Sequence, residues 1–253
     1  MKPIQLLLIA VLFFSVSLLD CVSFAQDSGG GNSKTTQNDF AFPFDRDTEK
    51  IIRELDSAQK AATEKMLDQF EIALKRLETS KLRAEQILAR RDSLRKEEER
   101  FIKYGLIPFS ELMLTASIEL LQKSAQSESR AKTKFAQLIL KSEKRLDGFQ
   151  LKELKRRQET ALKPKVVAKW HHQTGGNPLA EVTLLSNGRI GSADSPNHWR
   201  LNANGNIQLR WPSSNAPNGV WIDNCQLTAD GMEFRGKNQD NASAFGKLIT
   251  TGT

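Results

Sequence analysis

Cysteine, histidine, tyrosine and proline are scarce in this 253-residue chain, at two, three, one and eight residues, and each scarcity excludes something. Cys21 and Cys225 cannot build a disulfide framework, so any ordered part must be stable through its core. Only His171, His172 and His198 could serve as imidazole bases or metal ligands. His171 and His172 are neighbours on an expected strand, where adjacent side chains leave opposite faces and do not share an ion. His198 with one of them and Asp194 is the remaining metal alternative. No Gly-x-Ser-x-Gly elbow occurs, and Gly246-Lys247 lacks the earlier glycine of a phosphate loop. No cofactor or catalytic residue is expected. A composition of 39% hydrophobic and 26% charged residues excludes both a multispan membrane protein and a wholly disordered chain.

What is present divides the chain into unlike parts. Met1 and Lys2 precede an apolar run from Ile4 to Leu19. Ser23 and Ala25 then place small residues three and one before a cut at Gln26. This pattern reads as a signal peptide over 1–25, cleaved near Ala25, and so as export to the periplasm or beyond. The run is short of the ~20 residues that span a bilayer, so a retained anchor is the alternative and no span is expected after cleavage. Asp20 before Cys21 departs from a lipoprotein box. Residues 26–44 are rich in Ser, Gly, Asn, Thr and Gln, a composition that reads as a flexible linker. Phe40, Phe42 and Phe44 at its end either pack on the first helix, with Phe44 as staple and Asp45 as cap, or form a docking motif.

Glycine and proline are missing altogether between Asp47 and Tyr104. Over this stretch Met66, Phe70, Ala73, Leu77, Ser80, Ala84, Ile87, Arg91, Leu94, Glu98 and Phe101 recur at alternating spacings of four and three, a heptad seam with polar interruptions. Gly105 and Pro108 break it. Leu114, Ile118, Leu121, Ala125, Glu128, Lys132, Phe135, Ile139, Ser142, Leu146 and Phe149 resume the spacing until Pro164. Residues 45–163 therefore read as a long antiparallel helical hairpin, a coiled coil, able to close on itself or to form a homo-oligomer. Most of the chain's net charge of +7 resides here with the two signs closely mixed. That is the pattern of a solvated helical face rather than of a nucleic-acid surface.

From residue 164 the pattern turns to short strands divided by Asn187-Gly188, Asn204-Gly205 and Asp230-Gly231, dipeptides that favour type I′ hairpins. Residues 164–253 are expected to form a small antiparallel β-barrel or sandwich of about seven or eight strands, which makes the chain α+β with two segregated parts. Trp170, Trp199, Trp211 and Trp221 each fall on a strand, as core or as an aromatic platform. Asp223, two residues beyond Trp221, is the carboxylate of most interest, more naturally a hydrogen-bond acceptor for a turn or an indole than a catalytic acid. Cys225 reads as a buried inert thiol. These four tryptophans, Asp223 and His198 are the candidate binding residues.

The succession Trp170, Asn187-Gly188, Trp199, Leu209-Arg210-Trp211-Pro212, Trp221-Ile222-Asp223, Leu227-Thr228-Ala229-Asp230-Gly231, Phe234, Gly236, Asn238 and Gly246 resembles the small Trp-rich β module of secreted, largely uncharacterised proteins of planctomycete-type bacteria. The chain departs from that pattern at Gln239 to Ala242 and over Ser213 to Gly219. The resemblance implies an exported β module and no known activity. The leading functional expectation is a non-enzymatic interaction protein, its helical spacer carrying a β module for an envelope component, polysaccharide or protein partner. A periplasmic holdase with helical arms, similar in outline to the Skp/OmpH chaperones, is the alternative. Third is a hydrolase or small-ligand barrel using Asp223 or His198.

Overall fold

The computed structural model describes residues 43–250. The segments read as signal peptide and most of the linker lie outside the described residues, as do Phe40 and Phe42. The described chain is α+β: four helices, α1 (Asp45–Glu78), α2 (Ala84–Tyr104), α3 (Leu114–Ser142) and α4 (Gly148–Ala161), followed by seven antiparallel strands. No helix among the described residues is long and apolar enough to cross a membrane.

Each expected long helix is divided in two. α1 ends at Glu78, where Ser80 Oγ donates to the Leu77 carbonyl at 2.7 Å and Thr79 Oγ1 to that of Arg76 at 3.2 Å, hydroxyls competing for bonds that would have continued the helix. The chain then folds back, so that Leu94 and Phe101 of α2 join Met66, Phe70, Ala73 and Leu77 in one cluster. The rings of Phe70 and Phe101 are 6.2 Å apart; on an unbroken helix their Cα atoms would be about 46 Å apart. The second division is capped by Asp147, which accepts from Gln150 N at 2.8 Å while Gln150 Oε1 accepts from Asp147 N at 3.3 Å, a capping box. Phe149, assigned to the seam from its spacing, is consequently 70% exposed.

α1 and α3 run antiparallel: Glu54 pairs with Lys134, and Lys65 with Glu119. Ile51 and Leu55 meet Ala131 and Phe135 of α3 and Leu154 of α4. Phe44, expected at the end of the linker, is buried in this cluster. Asp45 is the first helical residue rather than the cap; it pairs instead with Arg157 at 2.7 Å.

The strands are β1 (Val166–Thr174), β2 (Ala180–Leu185), β3 (His198–Leu201), β4 (Asn206–Pro212), β5 (Val220–Leu227), β6 (Glu233–Lys237) and β7 (Ser243–Leu248). They form one sheet in the order β2-β1-β7-β6-β5-β4-β3. Its two edges meet through the bridges Leu184↔Ile190 and Arg189↔His198, leaving a nearly closed barrel. The three turns lie where the dipeptides placed them, but only two join paired strands, β3–β4 and β5–β6; after Asn187-Gly188 there are isolated bridges at Arg189 and Ile190 instead of a strand, and the turn type differs. Gly188, Gly205 and Gly231 have positive φ, whereas Asn187, Asn204 and Asp230 do not; a type I′ turn needs both. Each Asn or Asp side chain instead accepts from the backbone N–H two residues on, at Arg189, Asn206 and Met232, and the glycine alone supplies the left-handed residue.

The connection between α2 and α3 is built into the barrel. Ile107, Phe109 and Leu114 share a core with Trp170, Ile207, Leu209 and Phe234, and the Phe109 ring meets Trp170 edge-on at 5.3 Å. Ile107 N donates to Val167 O, and Glu111 N to Ala229 O. A Cβ on Gly231 would lie 2.2 Å from the Phe109 carbonyl carbon, so only glycine fits. The loop is held from the other side by Glu97, 2% exposed, whose carboxylate accepts from Phe109 N at 3.3 Å, Ser110 N at 3.1 Å and Ser110 Oγ at 2.6 Å. Burial raises the Glu97 carboxyl above its ordinary value, against the lowering effect of the Ser110 bonds.

Glu97→Ala orphans two backbone donors and should cost about 2–4 kcal/mol in denaturant unfolding, whereas Glu97→Gln keeps the acceptor. Because the folded carboxyl is raised, its contribution to stability is present at low pH and is lost as pH rises through the folded value. The melting temperature of Glu97→Gln should therefore gain on the native chain as pH rises from 4 toward 7. Gly231→Ala should destabilise by more than ~2 kcal/mol, since backbone rather than a flexible side chain must move.

Candidate functional site at the barrel mouth

Side chains pointing into the barrel alternate along each strand. Across β4 and β5 the inward rungs run Ile207 opposite Cys225, Leu209 opposite Asp223, and Trp211 opposite Trp221. On β1 the matching series is Ala168, Trp170, His172 and Thr174. Lower rungs are apolar and closed: Trp170 and Phe234 are fully buried, and Trp199, 6% exposed, donates its indole N–H to Leu185 O at 2.9 Å. Gly246 makes room for the Phe234 ring, which would lie 2.1 Å from any Cβ there.

Above this core the interior becomes polar. Asp223 is 1% exposed. Its Oδ2 accepts from Trp211 Nε1 at 2.8 Å and Thr174 Oγ1 at 3.1 Å, and His172 Nε2 lies 3.1 Å away. The imidazole stacks on Trp211 with ring centroids 5.4 Å apart and planes at 26°. These side chains floor an open recess of about 590 Å³, walled by Trp211, Trp221, Val182 and the Gly175–Gly176 turn and rimmed by Asn238 and Asp240.

Of the six expected binding residues, Trp211, Trp221 and Asp223 converge on this recess. Trp170 and Trp199 belong to the core instead. His198 is elsewhere, on β3. Its Nε2 lies 2.6 Å from Arg189 Nη1, and slight desolvation, then the charges of Arg189 and Arg210, lower its pKa. Asp194, its suggested companion, accepts from Ser192 Oγ. His171 is exposed and His172 buried, as expected for neighbours on a strand. Among the described residues no group of three His, Cys, Asp or Glu side chains is placed to hold a metal ion.

Thr174 carried no signal in the sequence, and His172 was expected only as an imidazole base or metal ligand, not beside Asp223. Thr174 Oγ1 stands 3.1 Å from both His172 Nε2 and Asp223 Oδ2. In a nucleophile relay the hydroxyl and the carboxylate address opposite imidazole nitrogens. Here both address Nε2, so the carboxylate competes with the hydroxyl for that nitrogen. The arrangement suits orienting a ligand through fixed donors and acceptors better than activating a nucleophile.

Cys225 lies one rung below Asp223, and burial, then the Asp223 charge, pushes its thiol up to about 12. A negligible thiolate fraction at neutral pH makes it unreactive. Protein that begins at Gln26, and so lacks Cys21, should leave a thiol-exchange reagent unreduced over hours and run as a monomer band on non-reducing gels, with one equivalent of thiol released on unfolding; rapid reaction of that folded chain would contradict this burial. No protein-family model, curated protein or solved structure matches the chain.

Proposed function

We propose that the protein is an exported, non-enzymatic binding protein whose barrel mouth takes a saccharide unit of an envelope polysaccharide, with the helical part as a coiled-coil spacer or oligomerisation segment. One observation carries the reading: the cross-strand pair Trp211 and Trp221 walls a recess whose floor is the hydrogen-bonded His172–Asp223–Thr174 group. Flat indole faces beside a few converging polar groups suit a sugar ring, apolar on its C–H face and hydroxylated at its edge. A peptide adding as a strand needs a free sheet edge, and the backbones of β1 and β5 are paired on both sides. Antiparallel α1 and α3, joined by apolar contacts and two ion pairs, support the spacer.

The holdase reading draws on Leu88, Ile102 and Leu140, which are 58%, 60% and 72% exposed on the helices. It requires suppressed aggregation of an unfolded outer-membrane client, and unchanged aggregation kinetics would remove it.

Because Phe109 fills the barrel core, binding belongs on the full chain rather than on residues 164–253 alone. On a glycan array the chain should retain an oligosaccharide class. Trp221→Ala should weaken that binding about tenfold or more, as truncation of a central aromatic contact does, with unchanged melting temperature. An array with no retained glycan would reject the saccharide reading.

A further inference from the structure

The residues lining the recess include two carboxylates, Asp223 and Asp240, and no lysine or arginine, although the whole chain carries a net charge of +7. The mouth is therefore an acidic pocket on a basic protein. Asp240 is exposed on the rim. Asp223 is 1% exposed, and only its Oδ2 is occupied, by Trp211 and Thr174; Oδ1 is buried without a hydrogen-bond partner. A carboxylate enclosed among indole rings projects its charge with little screening, and an unpaired buried oxygen has much to gain from a donor. Indole faces add to this, since they attract cations as well as C–H groups.

We propose that the barrel mouth selects a saccharide unit that bears a free ammonium group, its sugar ring against Trp221 and Trp211 and its charge toward Asp223 and Asp240. This rests on the reading of the mouth as a saccharide site and names the chemistry that the site prefers. A neutral sugar leaves both carboxylates without a countercharge from the ligand, and an acidic sugar meets them with its own charge. His172 is the one cationic candidate at the floor, and its Nε2 lies 3.1 Å from Asp223 Oδ2.

Isothermal titration of the full chain with three oligosaccharides of equal length tests this: a glucosamine oligomer, its fully N-acetylated counterpart, and an unaminated glucose oligomer. The glucosamine oligomer should bind roughly tenfold tighter than the acetylated one, a cation–π and ion-pair preference. Asp240→Asn and Asp223→Asn should each shrink that ratio, whereas Trp221→Ala should weaken both sugars together. Asp240 is on the surface, so its variant keeps the test valid if Asp223→Asn fails to fold. Equal affinity for the free and acetylated amines would overturn ammonium selection while the saccharide reading stands. A lysine-rich peptide that binds as tightly as the glucosamine oligomer would overturn the sugar part of the proposal. Binding of none of the three oligosaccharides would reject both readings.

Discussion

The rest of the structure depends on the buried carboxylate of Glu97. It sits on a helix facing solvent-poor surroundings and receives three hydrogen bonds from two consecutive residues, Phe109 and Ser110. That clamp fixes the path of the α2–α3 connection, and the path seats Phe109 in the barrel core against Trp170. Ser117 Oγ, donating to Pro108 O at 2.6 Å, holds the same loop from the following helix. Gly231 lets a barrel turn approach that backbone more closely than any side chain would permit. The α2–α3 connection and the start of α3 thus share a hydrophobic core with the barrel, so the helical and β portions should unfold together rather than as two separate transitions. Burying a carboxylate is costly by itself; here three donors offset part of that cost, and they specify the docking of one half on the other.

Sealing one part of the barrel concentrates ligand-accessible volume in another. Phe109, Trp170, Leu184, Ile207 and Phe234 leave almost no exposed surface in the lower interior, so a ligand within the barrel is excluded there. Polarity then rises along the strands: apolar rungs give way to Cys225, then Asp223 and His172, then Thr174 and the half-exposed indoles. The buried polar side chains fall mostly into two groups, Glu97 with Ser110 and Ser117 at the junction, and His172 with Asp223 at the mouth. The first group is saturated with partners and has a structural role. The second is incompletely satisfied at Asp223 Oδ1 and opens onto a recess, which is why binding is sought there.

Much of the β part was legible because its signals are local. Turn dipeptides and alternation located the seven strands that form, though not the absence of one after Asn187-Gly188, where only isolated bridges follow; Trp170 and Cys225 lie in the core. Turn type was not legible, because Asn-Gly serves equally a turn with two left-handed residues and one with a single left-handed glycine after an Asx side-chain bond. The first helix break lay hidden because Thr79-Ser80 acts through hydroxyl bonds without glycine or proline; the second was marked by Asp147-Gly148, a signal that the continued spacing through Leu146 and Phe149 outweighed. Glu97 was indistinguishable within Glu97-Glu98-Glu99; periodicity selected Glu98 for the seam, whereas the loop selects its neighbour. His172 and Asp223 belong to β1 and β5, which are not adjacent in the sheet, so only barrel closure brings them together. Of the expected site, Trp211, Trp221 and Asp223 proved neighbours because they occupy facing rungs of one strand pair, a register that no single strand reveals.

The most direct measurement is a ¹⁵N–¹H spectrum of the four indole N–H groups during titration with the oligosaccharide that binds best, because each tryptophan reports a different depth of the barrel. We expect the Trp211 and Trp221 resonances to move in a saturable way while Trp170 and Trp199 stay in place, since those two are enclosed in the core. Movement of Trp170 or Trp199 with Trp211 and Trp221 unchanged, or no movement of any indole despite binding, would contradict a ligand site at the barrel mouth.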